Sequence, residues 1–93
     1  MSEVAYSWTQ VERVEKDHGV VDRKGRKLGH AACIFWTGRP VPAFPAGYFH
    51  VSVQATRDGH PFGACQRGHD FATHAEAQAH ASAKLARTRP GKL

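Results

Sequence analysis

The chain predicts an α+β domain, a three- to four-stranded antiparallel sheet carrying a C-terminal helix on one face, with, on one of two readings of its start, a short N-terminal helix giving the order α-β-β-β-α. Three observations carry this. FATHAEAQAHASAKLAR, residues 71–87, is rich in Ala, the best helix former, and opens on a T-x-x-E capping box at Thr73 and Glu76. YFHVSVQAT, 48–56, alternates Phe49, Val51, Val53 and Ala55 with Tyr48, His50, Ser52 and Gln54, as a half-buried strand does. RDGH, 57–60, places Asp-Gly directly after that strand, a hairpin signal.

The first 27 residues leave two readings open. TQVERVEKDHG, 9–19, begins with Thr9 and Glu12 in capping-box spacing, sets Val11 and Val14 three apart, and ends at Gly19, which suggests a short helix. The same stretch could be a strand, with WTQVERV pairing with GVVDRKGRKL in a meander that turns at residues 23–26. On either reading RKGRK, 23–27, is a basic turn in solvent. KLGHAACIFWTG, 27–38, is a strand with Ile34 and Trp36 inward. GRPVPAFPAG, 38–47, holds three prolines and two flanking glycines, so it is a stiff projecting loop with Phe44 as an exposed anchor or as a lid over the sheet edge.

After the turn at 57–60, PFGACQR, 61–67, is the returning strand, and the helix spans 74–88, stopped by Pro90-Gly91. Phe71 acts as a staple before it, and Arg87 and Arg89 sit where the helix dipole favours cations. Ala77, Ala81 and Leu85 line one side of this helix; Ala75, Ala79, Ala83 and Ala86 gather on the other. So little side-chain volume can bury a face only by lying close to a surface that supplies the volume, expected to be Phe49, Val51, Val53 and Phe62.

Ninety-three residues suit a single small domain, with 1–8 and 89–93 as flexible ends. The chain has one Ile and three Leu and no apolar run of membrane-span length, and MSEVAYSW lacks the basic-then-apolar pattern of a secretory signal, so a cytoplasmic protein with no membrane partner is expected. Cys33 and Cys65 fall in segments read as strand and are expected as buried thiols rather than a disulfide.

Charge is laid out unevenly. Residues 1–22 hold five acids and two bases, the remainder eleven bases and three acids, a change from about −3 to +8. A basic body fits a polyanionic partner. Arg23, Lys24, Arg26, Lys27, Arg39, Arg57 and Arg67 fall in turns or strand ends, with Lys84, Arg87, Arg89 and Lys92 at the tail, as phosphate-neutralising groups would. Tyr48, His50, Ser52 and Gln54 would form a polar sheet face able to reach bases, and His74 and Gln78 a helix face. His18, His60 and His80 would add positive charge below about pH 6.5.

Cys65, His69 and His74 form C-x3-H-x4-H, with Cys33 within reach from a neighbouring strand, but the close ligand pairs of zinc sites are missing, so no metal or cofactor is expected. There is no Gly-rich phosphate loop, nucleophile elbow or paired-carboxylate motif; Asp58, Asp70 and Glu76 have turn and cap duties, and no enzyme is expected.

The run F49-H-V51-S-V53, then D58-G59, F62-G63, Gly68 and T73-H-A-E-A77-Q with Ala79, Ala81 and Ala83 beyond, resembles the double-stranded RNA-binding domain over about residues 30–88. That resemblance implies an α-β-β-β-α fold and RNA binding, although the family's helix-opening lysines fall on His74, Ala75 and Gln78. The β-β-β-α end, with Phe-x-Thr-x-x-Glu-Ala at the helix start, also looks like the three-stranded DNA-binding modules of some integrases, which implies a sheet laid in a major groove. The alternative reading of these residues is a small phage or mobile-element inhibitor of anti-CRISPR type, docking on a nucleic-acid-handling protein complex through Phe44, Tyr48 and Trp8 with arginines at the rim.

Overall fold

In the computed structural model, which describes residues 6–91, the chain order is β1 (Thr9–Val21), β2 (Lys27–Thr37), β3 (Tyr48–Arg57), β4 (His60–Phe62), β5 (His69–Phe71) and α1 (His74–Arg87). The fold is α+β: a curled antiparallel sheet in the order β1-β2-β3-β4, with β5 also on β3, and one C-terminal helix packed against it. The expectations for Lys92 and for the outermost parts of both chain ends lie outside the described residues.

Among the described residues no N-terminal helix forms, so the α-β-β-β-α order is not adopted. Residues 9–21 are a long edge strand paired with β2 from Thr9↔Trp36 to Val21↔Lys27. The reason is tertiary. A two-residue period puts Glu12, Val14 and Lys16 on the helix side and Arg13, Glu15 and Asp17 on the other, and β2 offers an edge that a short isolated helix could not match. Gly19, read as a helix stop, has φ +75° and sits in an irregularity of the ladder between Asp17 and Val21.

β2 and β3 form the centre, in register from Leu28↔Arg57 to Thr37↔Tyr48. Directly paired residues share a face, so Ala32 with Val53 and Ile34 with Val51 point together at the helix, where Ala77, Ala81 and Leu85 complete the core. Phe49 and Phe71 pack at its border, and Trp36 lies against Phe49 with ring centroids 4.6 Å apart. Phe62, expected in this core, is instead 44% exposed, because it pairs with Ala55 at the end of β3 that lies beside Pro90 and Gly91, past the end of the helix.

The helix begins as expected: Thr73 is the N-cap, its Oγ1 accepting from Glu76 N at 3.2 Å and donating to the Glu76 carboxylate at 2.8 Å. It ends at Arg87, with Thr88 donating its hydroxyl to Leu85 O at 2.7 Å. The hairpin at 57–60 also forms, Asp58 (φ +51°) and Gly59 (φ +79°) both in the left-handed region that such a two-residue turn needs.

The returning strand does not run through 61–67. β3 spans six steps from Phe49 to Ala55 where its partner takes nine from Phe62 to Phe71, so β4 and β5 are one edge strand with three surplus residues looped out between them. Cys65 therefore lies exposed in that loop rather than in a strand, while Cys33 is half-buried in β2; both thiols are free.

Candidate nucleic-acid interface

The β1–β2 turn is built by one carboxylate. Asp22 Oδ1 accepts from the backbone N–H of Lys24 and of Arg26, each at 2.9 Å, and Oδ2 accepts from Arg26 Nε at 2.8 Å. Gly25, at φ +79°, donates to Asp22 O at 3.0 Å and closes the turn. Accepting the Arg26 N–H, chiefly, holds the Asp22 carboxyl below its usual range, with Lys24 N–H and the Arg26 guanidinium adding to the effect. Arg23 and Lys24 are thereby left exposed at the tip.

Next to this turn stands Arg57 at the end of β3. Its guanidinium lies 3.3 Å over the Phe62 ring, and Nε is 3.7 Å from Asp22 Oδ2. Lys27 is exposed at the start of β2, with its backbone tied to Asp58 by an N–H donated to Oδ1 at 2.9 Å and a carbonyl accepting Asp58 N–H at 2.9 Å. Thus Arg23, Lys24, Arg26, Lys27 and Arg57 come together at one end of an elongated molecule of 55 × 27 × 18 Å.

The helix terminus reaches the same end. Lys16 Nζ donates to Leu85 O at 2.9 Å and Thr88 O at 3.2 Å, fastening the C-terminal turn to β1. Pro90 and Gly91 line a hollow with His18, Leu28, His30, Arg57 and Phe62, and the Arg89 charge acts on His18 at this end, whereas Arg87 acts on His80 farther along the helix. At that hollow His18 Nε2 and His30 Nδ1 share a hydrogen bond of 2.7 Å. Burial, above all, pushes both imidazoles below their usual value, with the Lys16 charge acting in the same direction.

The remaining expected residues are elsewhere. Arg39, Phe44, Tyr48, His50 and His74 lie toward the far end of β2 and β3, roughly 25–40 Å from the turn at the rise of an extended strand. There Val41 and Phe44 bond to each other in a tight turn of the Pro-rich loop, and Phe44 is half-buried with its ring 5.7 Å from Tyr48, folded back rather than projecting. Trp8, 50% exposed, stands edge-on to Tyr48 at 5.4 Å and beside His50 at 5.8 Å.

The polar sheet face is not open. Gln54 Nε2 donates to Gly63 O, Gly68 lies so close over His50 that an added Cβ would run into the ring, and Asp70 bonds His50 Nδ1 at 2.7 Å. At the β3–β4 turn Arg13 Nη2 donates to Gly59 O at 2.8 Å. The curl thus brings the 59–68 segment over a face that would have to be flat and free to lie in a groove. Arg67 is exposed within this segment.

On the helix, Gln78 donates to Glu12 at 3.0 Å, and His74 stacks on Phe49 at 5.4 Å with Nε2 3.9 Å from Glu12; both groups that would face RNA are turned to β1. His80 is set between His69 and Phe71, and burial lowers its pKa as it does for His18, so charging of these two waits for more acid conditions than composition implies. Among the described residues no three His, Cys, Asp or Glu side chains converge as a metal site would require, and no helix is long and apolar enough to cross a membrane.

Sequence reasoning misses Asp22 and Lys16 as positioning groups. The first carries a legible signal, since Asp three residues before Gly25 fits a side chain that bonds the backbone of its own turn. Lys16 carries none, because its acceptors are about 70 residues away. Compared with family models, with curated proteins and with solved structures, the chain shows no match.

Proposed function

We propose that the chain is a non-catalytic nucleic-acid-binding module that grips phosphates with its hairpin end. The observation that supports this is the gathering of Arg23, Lys24, Arg26, Lys27 and Arg57 around Asp22, with Arg89 near His18 at the same end. A single carboxylate fixes the turn while the tip cations stay in solvent, which lowers the ordering cost of presenting them to a polyanion. Phosphate contact, rather than base reading, is the role of these groups. They stand in for the lysines that open the helix in double-stranded RNA-binding domains, where this chain has His74, Ala75 and Gln78.

The test is binding to duplex DNA and duplex RNA as a function of salt. The triple variant Arg23→Ala, Lys24→Ala, Lys27→Ala is expected to flatten the log–log slope by about 0.9 for each lost phosphate contact on B-DNA. Arg39→Ala, at the far end, should leave the slope unchanged. Absence of affinity for either duplex at low salt would remove the proposal.

One observation favours a second reading, an inhibitor or adaptor that docks on a nucleic-acid-handling protein. Trp8 remains half-exposed on a platform of Tyr48 and His50, the kind of aromatic group that anchors a protein interface. Binding centred there would change little with salt and would be lost on Trp8→Ala.

A further inference from the structure

β1 ends the sheet, and among the described residues nothing pairs with its outer edge. It is thirteen residues long and exposed along most of its length, with Val11, Val14 and Val21 at 42%, 37% and 51%. Such an edge is a template for another strand unless charge or irregularity blocks it. Here the charges do not block a second copy of the same strand; they match it.

Take β1 antiparallel to itself with Val14 opposite Val14. Glu12 then faces Lys16, and Arg13 faces Glu15, on both sides of the two-fold axis. No neighbouring register does this. A shift of one residue sets Glu12 against Glu15 or against Asp17; a shift of two sets Arg13 against Arg13 or Glu15 against Glu15. The stretch from Glu12 to Asp17 is also the regular part of the strand, between the irregularities at Gln10/Glu12 and Asp17/Val21. The charge pattern is therefore self-complementary where the backbone is straight enough to pair.

We infer that β1 is a homodimerisation edge, joining two copies of this chain into one continuous sheet with a two-fold axis at Val14. Because directly paired residues share a face, both helices lie on the same side of the joined sheet. Arg13 and Glu15, which already form a 3.0 Å ion pair within one chain, become a cluster of four alternating charges across the axis. The paired stretch is short, so association is weak and concentration-dependent. The inference uses none of the groups at the basic hairpin tip and stands apart from nucleic-acid binding.

Sedimentation velocity on nuclease-treated protein over a concentration series is the test. The unaltered chain should shift from monomer to dimer mass as concentration rises. Arg13→Glu alone and Glu15→Arg alone should each remain monomeric, since each places like charges across the axis. Mixed one to one they should recover the dimer, because the acids at positions 13 and 15 of one variant then meet the arginines at positions 15 and 13 of the other. Thermal melts followed by circular dichroism establish that both variants are folded. A chain that stays monomeric throughout, a dimer that survives either single reversal, or a mixture that fails to associate would each overturn the inference.

Discussion

β1 and β3 are both long strands of one sheet, yet opposite kinds of interaction hold them. On β3 the helix-facing residues Val51 and Val53 are 1% and 2% exposed and meet Ala77, Ala81 and Leu85 through apolar contact alone. The helix-facing residues of β1 are Glu12, Val14 and Lys16, and two of these three reach α1 through polar atoms: Glu12 accepts from Gln78, and Lys16 donates to the last carbonyls of the helix. The helix is thus seated by burial over β2 and β3 and steadied by hydrogen bonds over β1. Burial scales with area, while exposed hydrogen bonds exchange with water at little net gain, so the two margins should tolerate change very differently.

The sharpest contrast uses one substitution at two sites. Val53→Ala removes buried methyl groups from a core that an alanine-lined helix cannot refill, and should cost about 2–3 kcal/mol. Val14→Ala, on the same face of the sheet but over a third exposed, should cost under about 0.5 kcal/mol. Denaturant melts of the two variants measure both. Equal losses would mean that β1 is as much part of the core as β3.

The same difference explains what was legible beforehand. β3 declared itself, because burial on one face only writes an alternating pattern into the sequence, and Thr73, Glu76 and the Asp58-Gly59 turn carry their causes within a few residues. β1 was legible only as one of two readings, since Thr9 and Glu12 hold capping-box spacing by coincidence and the strand's partners are β2 and the distant helix end. Of the candidate site, the basic turn could be read because its residues are contiguous. The company of Arg57 and Arg89 depends on topology. The closing of the polar face over His50 and Gln54 depends on a three-residue surplus between β4 and β5, which no local signal announces.

A smaller effect tests the polar margin itself. Lys16→Met keeps most of the aliphatic stem but removes the ammonium from Leu85 O, Ala86 O and Thr88 O. A cation at a partly buried helix C-terminus contributes about 1–2 kcal/mol at most, so the variant should lose roughly 1 kcal/mol, with hydrogen exchange rising first at residues 85–88. Unchanged exchange there would show that Thr88, through its own hydroxyl on Leu85 O, suffices to hold the terminus.

The smallest effect comes from the histidine pair between these two margins. His18 on β1 and His30 on β2 share one proton along a 2.7 Å line, faced by Lys16 and Asp17 from β1, Arg57 from β3 and Arg89 from the tail. Burial is the main cause that lowers both folded pKa values, so at a pH below about 6.5 the unfolded chain takes up protons that the folded chain refuses. Stability is then full above that value, falls as the pH drops through it, and levels off once the folded imidazoles have charged as well. Doubly charged rings would also set two N–H groups against each other, which the shared bond cannot survive. Melting temperature should therefore decline below about pH 6.5, and His30→Leu should reduce the decline while His80, also lowered by burial, retains part of it. An unaltered decline in that variant would place the acid sensitivity elsewhere in the chain, and would remove the claim that this seam between apolar centre and polar edge is where protons act.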